Sequence, residues 1–484
     1  MNIKVISMNV GRALLVSALF MFLSMVVSVL NGMDSAFGTL AISFIITFIF
    51  GAFPFIFVRQ SPAISVRDGF LIIVLSWLLS FIFGMLPYVL WGGEFSLVNA
   101  WFESVSGYTT TGSTILTDIE RLPKSLLFWR SSTHFIGGLG VVVFLLLVLP
   151  TASPFRFKLT NIEQSSLSRE GYRYRSMSTV YVMVSVYVGI SLLTGISLVL
   201  AGMSPFDAVN HAFSIVSTGG FSTRNLSISY YDSLPINIIV TFFMLLSSLH
   251  YGLIFAVFAT RSLRPLTQSP VIRYYLGSIV AATVLIAISL RLYGGYDGWS
   301  SSITDSFFQV CSYVTTTGFG MSDNAGWPFS SGIIILFMAL QCGCSGSTSG
   351  GLKADRVYIV LKAVIRQVRT SLHPSSVTQI KAGRHYISDR DAVAVLLYMI
   401  LYFAVIIVGI FLLVLCGVDI LSAVSGAVSS MGNVGPGLGS IGSLGTFAYQ
   451  PAAAKIIYSI GLILGRLEIY PVLVVFTMMF KRDK

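Results

Sequence analysis

A glycine-containing loop recurs four times along this 484-residue chain, each time between two long apolar runs. One glycine of each loop serves as a reference, and these are Gly112, Gly220, Gly318 and Gly435, spaced 108, 98 and 117 residues apart. Six residues before each of them stands a serine: Ser106, Ser214, Ser312 and Ser429. Self-similarity at a nearly fixed period predicts four copies of one structural unit.

The apolar runs place these units in a membrane. Hydrophobic residues make up 55% of the chain and charged residues 10%, with a mean hydropathy of +0.84, whereas soluble domains carry about 25% charged residues. A helix needs about 20 apolar residues to cross a bilayer. Ten runs qualify, near 8–30, 36–58, 69–91, 125–150, 177–201, 235–259, 275–292, 331–365, 392–416 and 453–480. No small-residue cleavage site follows the first run, so we expect a retained helix rather than a signal peptide.

The sequence therefore predicts an all-α integral membrane protein. Four tandem helix–pore loop–helix repeats are expected around a pseudo-fourfold pore, with two extra transmembrane helices at the N-terminus. The expected divisions are 1–66 for the two extra helices, then 67–155, 156–262, 263–372 and 373–484 for the four repeats.

Charge placement predicts the orientation. Of the 30 Lys and Arg residues, 23 lie before the first or after the second helix of a unit. Because basic residues collect on the cytoplasmic side, we expect both termini inside and the four loops entering from outside. The same placement argues against nucleic acid as the partner of a chain with net charge +11. Two long basic stretches, 151–176 and 353–391, suit either lipid headgroups or a cytoplasmic partner.

A short semi-polar segment precedes each loop and predicts a pore helix. Helix-capping residues stand thirteen positions before each reference glycine, namely Asn99, Asp207, Asp305 and Ser422. A short helix between two spanning helices must dip into the membrane and return, which is tolerated only where its end is buried in protein or lines water. Its C-terminal end carries partial negative charge and favours cations.

The loops that follow contain hydroxyl and amide groups but no ionisable side chain. Backbone carbonyls can replace the hydration shell of a monovalent ion, whereas a divalent site would need carboxylates. We predict a selectivity filter in preference to four turn-rich external hairpins. Its residues would be Thr110, Thr111, Gly112, Thr218, Gly219, Gly220, Thr316, Thr317, Gly318, Asn433, Val434 and Gly435.

The second helix of the third repeat is interrupted by nine small or polar residues. These are Gly343, Cys344, Ser345, Gly346, Ser347, Thr348, Ser349, Gly350 and Gly351. Such a run is a poor lipid-facing helix, so we predict a movable gate beneath the filter, with a passive kink as the alternative.

Arg466 is a charge inside an apolar run, where a cation costs about 2.5–3.5 kcal/mol or more. Glu468 lies two residues on and faces another side of the helix. We therefore expect Arg466 to face the pore as an electrostatic barrier, with an ion pair to another helix as the alternative. His134, His211 and His250 suit packing roles better than a proton relay.

Together these motifs resemble the TrkH family, in the superfamily that also holds KtrB and plant HKT proteins. The stretches that carry the resemblance are TTTGST at 109–114, STGGFST at 217–223, TTTGF at 315–319, GCSGSTSGG at 343–351, NVGPGLG at 433–439 and GRLE at 465–468. The resemblance spans nearly all of 8–480, and the extra N-terminal pair is similar to TrkH rather than KtrB.

The resemblance implies potassium uptake by a homodimer in the bacterial inner membrane, with K⁺ as the transported ion and no organic cofactor. It also implies a cytoplasmic TrkA-like nucleotide-binding ring that opens the gate. Glycine at the position of Gly112 goes with potassium preference in that superfamily, and serine with sodium permeation. The segment STSGG departs from the more usual STGGG, which leaves the flexibility of this gate open.

Two other functions remain open from the sequence. One is a sodium or non-selective cation channel of the same fold, and the other is an ion-coupled secondary symporter with broken helices at its substrate site. An enzyme is not supported, because no catalytic acid/base pair, nucleophile elbow or GxxxxGK[ST] phosphate loop is present.

Overall fold

The computed structural model describes residues 2–58, 65–152, 176–374, 380–382 and 385–480, and helices dominate them. The helices are α1 (Ile3–Leu30), α2 (Phe37–Phe57), α3 (Val66–Gly84), α4 (Leu86–Trp91), α5 (Leu97–Tyr108), α6 (Lys124–Ala152), α7 (Ser176–Leu200), α8 (Pro205–Val216), α9 (Leu234–Ser247), α10 (Tyr251–Thr260), α11 (Arg264–Thr267), α12 (Pro270–Tyr293), α13 (Trp299–Val314), α14 (Phe329–Gln341), α15 (Ala354–Leu372), α16 (Asp389–Leu415), α17 (Ile420–Gly432), α18 (Ala452–Leu467) and α19 (Ile469–Phe480). The predicted helical architecture is confirmed, while most of the basic stretch 151–176 lies outside the described residues.

One short antiparallel ladder interrupts the helical pattern. Strands β1 (Ile380–Ala382) and β2 (His385–Ile387) pair between α15 and α16, with Ile380 opposite Ile387. Both isoleucines are buried in a small cluster with Ile359 and Val395. The sequence predicts only a polar turn here, because three-residue strands leave almost no periodic signal.

Membrane-spanning helices account for most of the chain. Among the described residues, six helices are long and apolar enough to cross a bilayer, and two sharply bent helix pairs raise the number to eight. The two remaining predicted spans correspond to the 29-residue helix α6 and to the interrupted pair α14 and α15.

Two of the predicted continuous spans are broken in the structure. Helices α9 and α10 meet at 101°, and α18 and α19 at 102°. His250 ends the first break by accepting the Gly252 N–H at its Nδ1 atom, 2.9 Å away, which caps α10. Glu468 forms the second break with φ 60°, a left-handed conformation that no α-helix continues through. The expectation of straight helices at 235–259 and 453–480 is therefore wrong.

The four pore helices are α5, α8, α13 and α17. Three begin one turn earlier than predicted: Ser96, Ser204 and Asp419 accept the N–H groups of Asn99, Asp207 and Ser422. The predicted caps occupy the third helical position instead, where such residues also favour a helix start. In the third repeat α13 begins at Trp299, so Asp305 lies inside the helix.

The N-terminal helix pair packs against the first repeat. The Tyr108 hydroxyl at the end of α5 donates to Ser17 of α1 over 2.9 Å, and both side chains are buried. On the other side, the indole N–H of Trp129 in α6 donates to the Gly84 carbonyl. The first pore helix is thus held between α1, α3 and α6.

Candidate functional site

All four pore helices end in the same way. In each, the N–H of the residue before the reference glycine donates to the carbonyl of the serine six residues before that glycine. The bonds join Thr111 to Ser106, Gly219 to Ser214, Thr317 to Ser312 and Val434 to Ser429, at 2.9, 2.7, 3.0 and 3.0 Å. This is the 6→1 bond of a Schellman helix end. The serine repeat seen in the sequence therefore marks equivalent backbone positions.

The Schellman end places one non-glycine residue of each loop in the left-handed region. The φ angles are 51° at Thr110, 56° at Thr218, 61° at Thr316 and 54° at Asn433. Asparagine tolerates this conformation, but a β-branched threonine does so only under strain. Strained backbone is held in place by surrounding structure and concentrates at functional sites.

The reference glycines bring the four loops into a closed ring. A methyl group on Gly112 would lie 2.1 Å from the Gly219 carbonyl oxygen of the second loop. The same contact joins Gly220 to Thr317 at 2.0 Å, Gly318 to Val434 at 2.1 Å and Gly435 to Thr111 at 2.4 Å. Each loop thus touches the next, and the fourth returns to the first. Only glycine allows this approach, and its positive φ as well.

The predicted filter residues are brought together by this ring. The side chains of Thr110, Thr111, Thr218, Thr316, Thr317, Asn433 and Val434 have no exposed surface. The four reference glycines line one cavity of about 70 Å³ on the far side of the loops from the pore helices, together with Phe221 and Arg130. The ring therefore presents backbone atoms from four repeats to a single small space.

The nine-residue interruption packs directly against this ring. The Gly350 N–H donates to the Thr316 hydroxyl over 3.1 Å, and the Ser349 hydroxyl donates to the Thr315 carbonyl over 3.0 Å. The Thr348 hydroxyl donates to the Val216 carbonyl at the end of α8, over 2.9 Å. Segment 343–351, which we call the gate loop, is thus bound to the second and third repeats.

Ser349 is the residue by which the gate loop departs from the usual family pattern. Its hydroxyl makes the bond to Thr315, which a glycine at this position would lack. The departure therefore adds an attachment between the gate loop and the third filter loop.

Arg466 contacts the gate loop from the opposite side. Its Nη1 donates to the Thr348 carbonyl over 2.6 Å, and its side chain is 3% exposed. Among the described residues no carboxylate pairs with Arg466, because Glu468 instead binds Arg356 at 3.0 Å. The alternative of an ion pair with another helix is therefore not what the described residues form.

The histidines make packing and hydrogen-bonding contacts. His134 stacks on Phe221 with ring centroids 4.1 Å apart and lies 3.2 Å from the Ser214 hydroxyl. His211 contacts the Asp207 carbonyl and the Ser222 hydroxyl. The chain thus uses two of its histidines to support the second filter loop.

At the outer mouth, an ionic contact braces the second loop. Arg224 donates to Asp207 over 2.8 Å, and the Thr223 hydroxyl donates to the same carboxylate over 2.6 Å. Burial by itself would raise the pKa of Asp207, but the hydrogen bonds from Thr223, Arg224 and Ser204 outweigh it and lower the pKa. The carboxylate therefore stays ionised well below neutral pH.

Sequence analysis missed a buried ion pair beside the filter. Arg130 Nε lies 2.8 Å from Glu103 Oε1, and their side chains are 1% and 0% exposed. The two residues are 27 positions apart on α5 and α6, so no helical spacing connects them. The only signal was that each is a charge inside an otherwise apolar or semi-polar segment.

Comparison with known proteins was made on this architecture. Residues 38–289 and 298–484 match the TrkH family of cation transport proteins. The Trk system potassium uptake protein TrkH of Halomonas elongata is 34% identical, and the match covers 100% of both chains. The Trk system potassium uptake protein TrkG of Escherichia coli is 32% identical over 100% of this chain and 99% of its own.

A solved structure agrees over the whole length. The crystal structure of the potassium transporter TrkH from Vibrio parahaemolyticus superimposes with a TM-score of 0.89 at 30% identity, covering 100% of both chains. The agreement confirms the multi-pass helical membrane fold. The family match over most of the sequence and the relatives above 30% identity lead to one conclusion: this chain belongs to the TrkH family of cation transport proteins.

Proposed function

We propose that this chain is the membrane subunit of a Trk-type potassium uptake system and conducts K⁺ selectively into the cell. The observation that carries the proposal is the closed ring of four filter loops, in which each reference glycine contacts a carbonyl of the next loop. Carbonyl groups without carboxylates suit a dehydrated monovalent ion. The relatives that match over the full chain are named potassium uptake proteins.

Passive permeation is sufficient for this role. Each 100 mV of inside-negative potential contributes about 2.3 kcal/mol per monovalent charge. A membrane potential of about 150 mV would therefore support a roughly 300-fold accumulation of K⁺. No coupling ion is needed, and the described histidines contact filter-supporting groups rather than forming a continuous relay.

The gate loop and Arg466 would control entry from below the filter. The gate loop hydrogen-bonds to the filter loops, and Arg466 holds its Thr348 carbonyl. A positive charge at this place opposes a passing cation. Movement of the gate loop would carry away both the obstruction and the carbonyl that Arg466 binds.

The assembly follows the same proposal. The chain would work as a homodimer in the bacterial inner membrane, with both termini in the cytoplasm. A TrkA-like nucleotide-binding ring would dock on the cytoplasmic side and act on α15, which continues from the gate loop and carries Lys362, Arg366 and Arg369. Organic cofactors have no part in this proposal.

The test is ion uptake by the purified protein in liposomes under an imposed inside-negative potential. We expect rubidium, as a potassium tracer, to enter, to be displaced by external K⁺, and to be displaced poorly by Na⁺. Equal or better displacement by Na⁺ would assign a sodium or non-selective channel. Uptake against a gradient at zero potential, abolished by collapsing a proton gradient, would assign a symporter.

A further inference from the structure

One buried position recurs in the pore helices, nine residues before the reference glycine. It holds Glu103 in the first repeat, His211 in the second and Gln309 in the third, each with no exposed surface. These side chains differ in charge and shape, yet they take part in the same kind of contact. Each reaches from its pore helix to the segment by which its own loop leaves the filter.

The contact in the first repeat is the most extensive. Glu103 Oε2 accepts the N–H of Ile115 over 3.0 Å, and the carboxylate accepts the Thr114 hydroxyl at 3.0 and 3.1 Å. Thr114 and Ile115 stand two and three residues after Gly112. The carboxylate therefore ties the pore helix to the outer end of the first filter loop.

The next two repeats make the corresponding contact with neutral partners. The Nε2 atom of His211 lies 3.0 Å from the Ser222 hydroxyl, two residues after Gly220. The Gln309 amide donates to the Ser322 carbonyl over 3.0 Å, four residues after Gly318. In these repeats too, a side chain of the pore helix bridges to the segment beyond the filter.

The fourth repeat makes the bridge from the neighbouring position. Gly426 occupies the equivalent place, and a methyl group there would lie 2.6 Å from the Tyr458 ring. The adjacent Ser425 accepts the N–H of Leu438 instead, over 2.9 Å. All four loops are therefore held at their outer ends by a side chain of their own pore helix.

Glu103 also connects the first loop to the second through Arg130. The guanidinium donates to the Ser222 carbonyl over 3.3 Å and stacks on the Phe221 ring, 4.1 Å from its centroid. Phe221 follows the reference glycine Gly220 and also stacks on His134. The ion pair thus contacts both loops at the point where they leave the ring.

We propose that Glu103, His211 and Gln309 are positioning residues that set the K⁺ over Na⁺ preference of the filter, and that the Glu103–Arg130 pair is the principal one. The proposal rests on the proposed function of the loops as a filter. Discrimination between two monovalent ions depends on the size of the carbonyl cavity and the field that its groups supply. Fixing both ends of each loop limits how far the carbonyls can close around the smaller ion.

The direct test is Glu103→Gln, measured as the ratio of rubidium to sodium permeability in liposomes. The amide keeps the shape but removes the charge that Arg130 requires and supplies one acceptor oxygen where the carboxylate had two. We expect the ratio to fall by about tenfold or more, which corresponds to about 1.4 kcal/mol in the difference between the two ions. Total rubidium flux per folded protein should change less than the ratio.

Asp34→Asn serves as the matched control. The Asp34 carboxylate accepts hydrogen bonds from Ser28, Ala36 and Ser125, at the outer ends of α1, α2 and α6. Its replacement should alter thermal stability and leave the permeability ratio unchanged. A merely structural role for Glu103 would give the same result in both variants.

Gln309→Leu provides a second test that leaves no unpaired charge, and it decides the matter if Glu103→Gln does not fold. It too should lower the ratio, by a smaller factor. Wild-type ratios in the folded variants would overturn the proposal. Sodium preference in the unmodified protein would instead contradict the proposed potassium function, while the change between variant and unmodified protein would still judge the positioning role.

Discussion

Single residues in this chain gain their roles from partners that are distant in sequence. Arg466 lies on α18, yet its hydrogen bond goes to the gate-loop carbonyl of Thr348, 118 positions away. A buried arginine normally needs a carboxylate partner. Here a backbone carbonyl supplies the contact, so the charge is left available to act on ions.

Replacing Arg466 by alanine should therefore increase rubidium uptake. The variant removes a positive charge beneath the filter and releases the gate-loop carbonyl that it binds. Arg466→Lys keeps the charge and is the matched control, with uptake expected near the unmodified level. Unchanged or lost uptake in a folded Arg466→Ala protein would mean that the arginine serves the structure and not permeation.

Ser349→Gly tests the extra attachment of the gate loop. It removes the bond to the Thr315 carbonyl, which is worth about 1 kcal/mol, so the open population should rise about fivefold. Single-channel recording measures that population. Ser347→Gly is the control, because the Ser347 hydroxyl donates to Cys344 within the same loop. Equal effects of the two substitutions would contradict the assigned role of Ser349.

Whole elements were predicted well where a local pattern encodes them and poorly where tertiary contacts do. The pore helices and loops follow from glycines, hydroxyls and apolar runs in phase, although the starts are one turn early because Ser96 and Asn99 are both good caps. The break before α10 involves a bond from the Tyr251 N–H to Gly346 of the gate loop. No signal near residue 250 in the sequence reports that partner.

The break between α18 and α19 is fixed in the same way. Glu468, in a left-handed conformation, accepts two hydrogen bonds from Arg356 at the start of α15, at 3.1 and 3.0 Å. Arg356 also stacks on Tyr398 of α16, 4.1 Å from the ring centroid. This pair therefore joins the helix that follows the gate loop to the fourth repeat.

Glu468→Gln should destabilise the protein strongly, because breaking a buried ion pair leaves a charge unpaired and costs about 3–5 kcal/mol. The exposed pair of Arg366 and Asp389, also made by α15, is the control. Arg366→Gln should cost less than about 1 kcal/mol. Thermal unfolding of the purified variants compares the two. Similar melting temperatures would rule out the buried pair as a major link between these elements.

At the scale of the whole molecule, the central feature is that four repeats of one chain close a ring. The contacts run from the first loop to the second, third and fourth, and back to the first. The sequence predicts which residues meet, because the repeat places them in register. It does not predict the supporting pairs, since Glu103 and Arg130 belong to different helices and have no counterpart of the same charge in the other repeats.

Gly112→Ser tests whether ring closure governs selectivity. The added side chain would meet the Gly219 carbonyl oxygen, 2.1 Å from the new β-carbon. We expect the rubidium to sodium permeability ratio to fall by about tenfold or more. Gly202→Ser is the matched control, because Gly202 has a similar φ of 98° but no atom within 4 Å of the added carbon. Loss of selectivity in both variants, or in neither, would contradict the ring account.

The most direct measurement is anomalous diffraction from crystals grown in rubidium. The account predicts a peak on the axis of the ring, surrounded by the backbones of 110–112, 218–220, 316–318 and 433–435 and within oxygen-contact distance of all four loops. The peak should weaken when K⁺ is added and persist when Na⁺ is added at the same concentration. Ordered rubidium bound elsewhere, with none among these backbones, would contradict the claim that four loops of one chain form a single potassium filter.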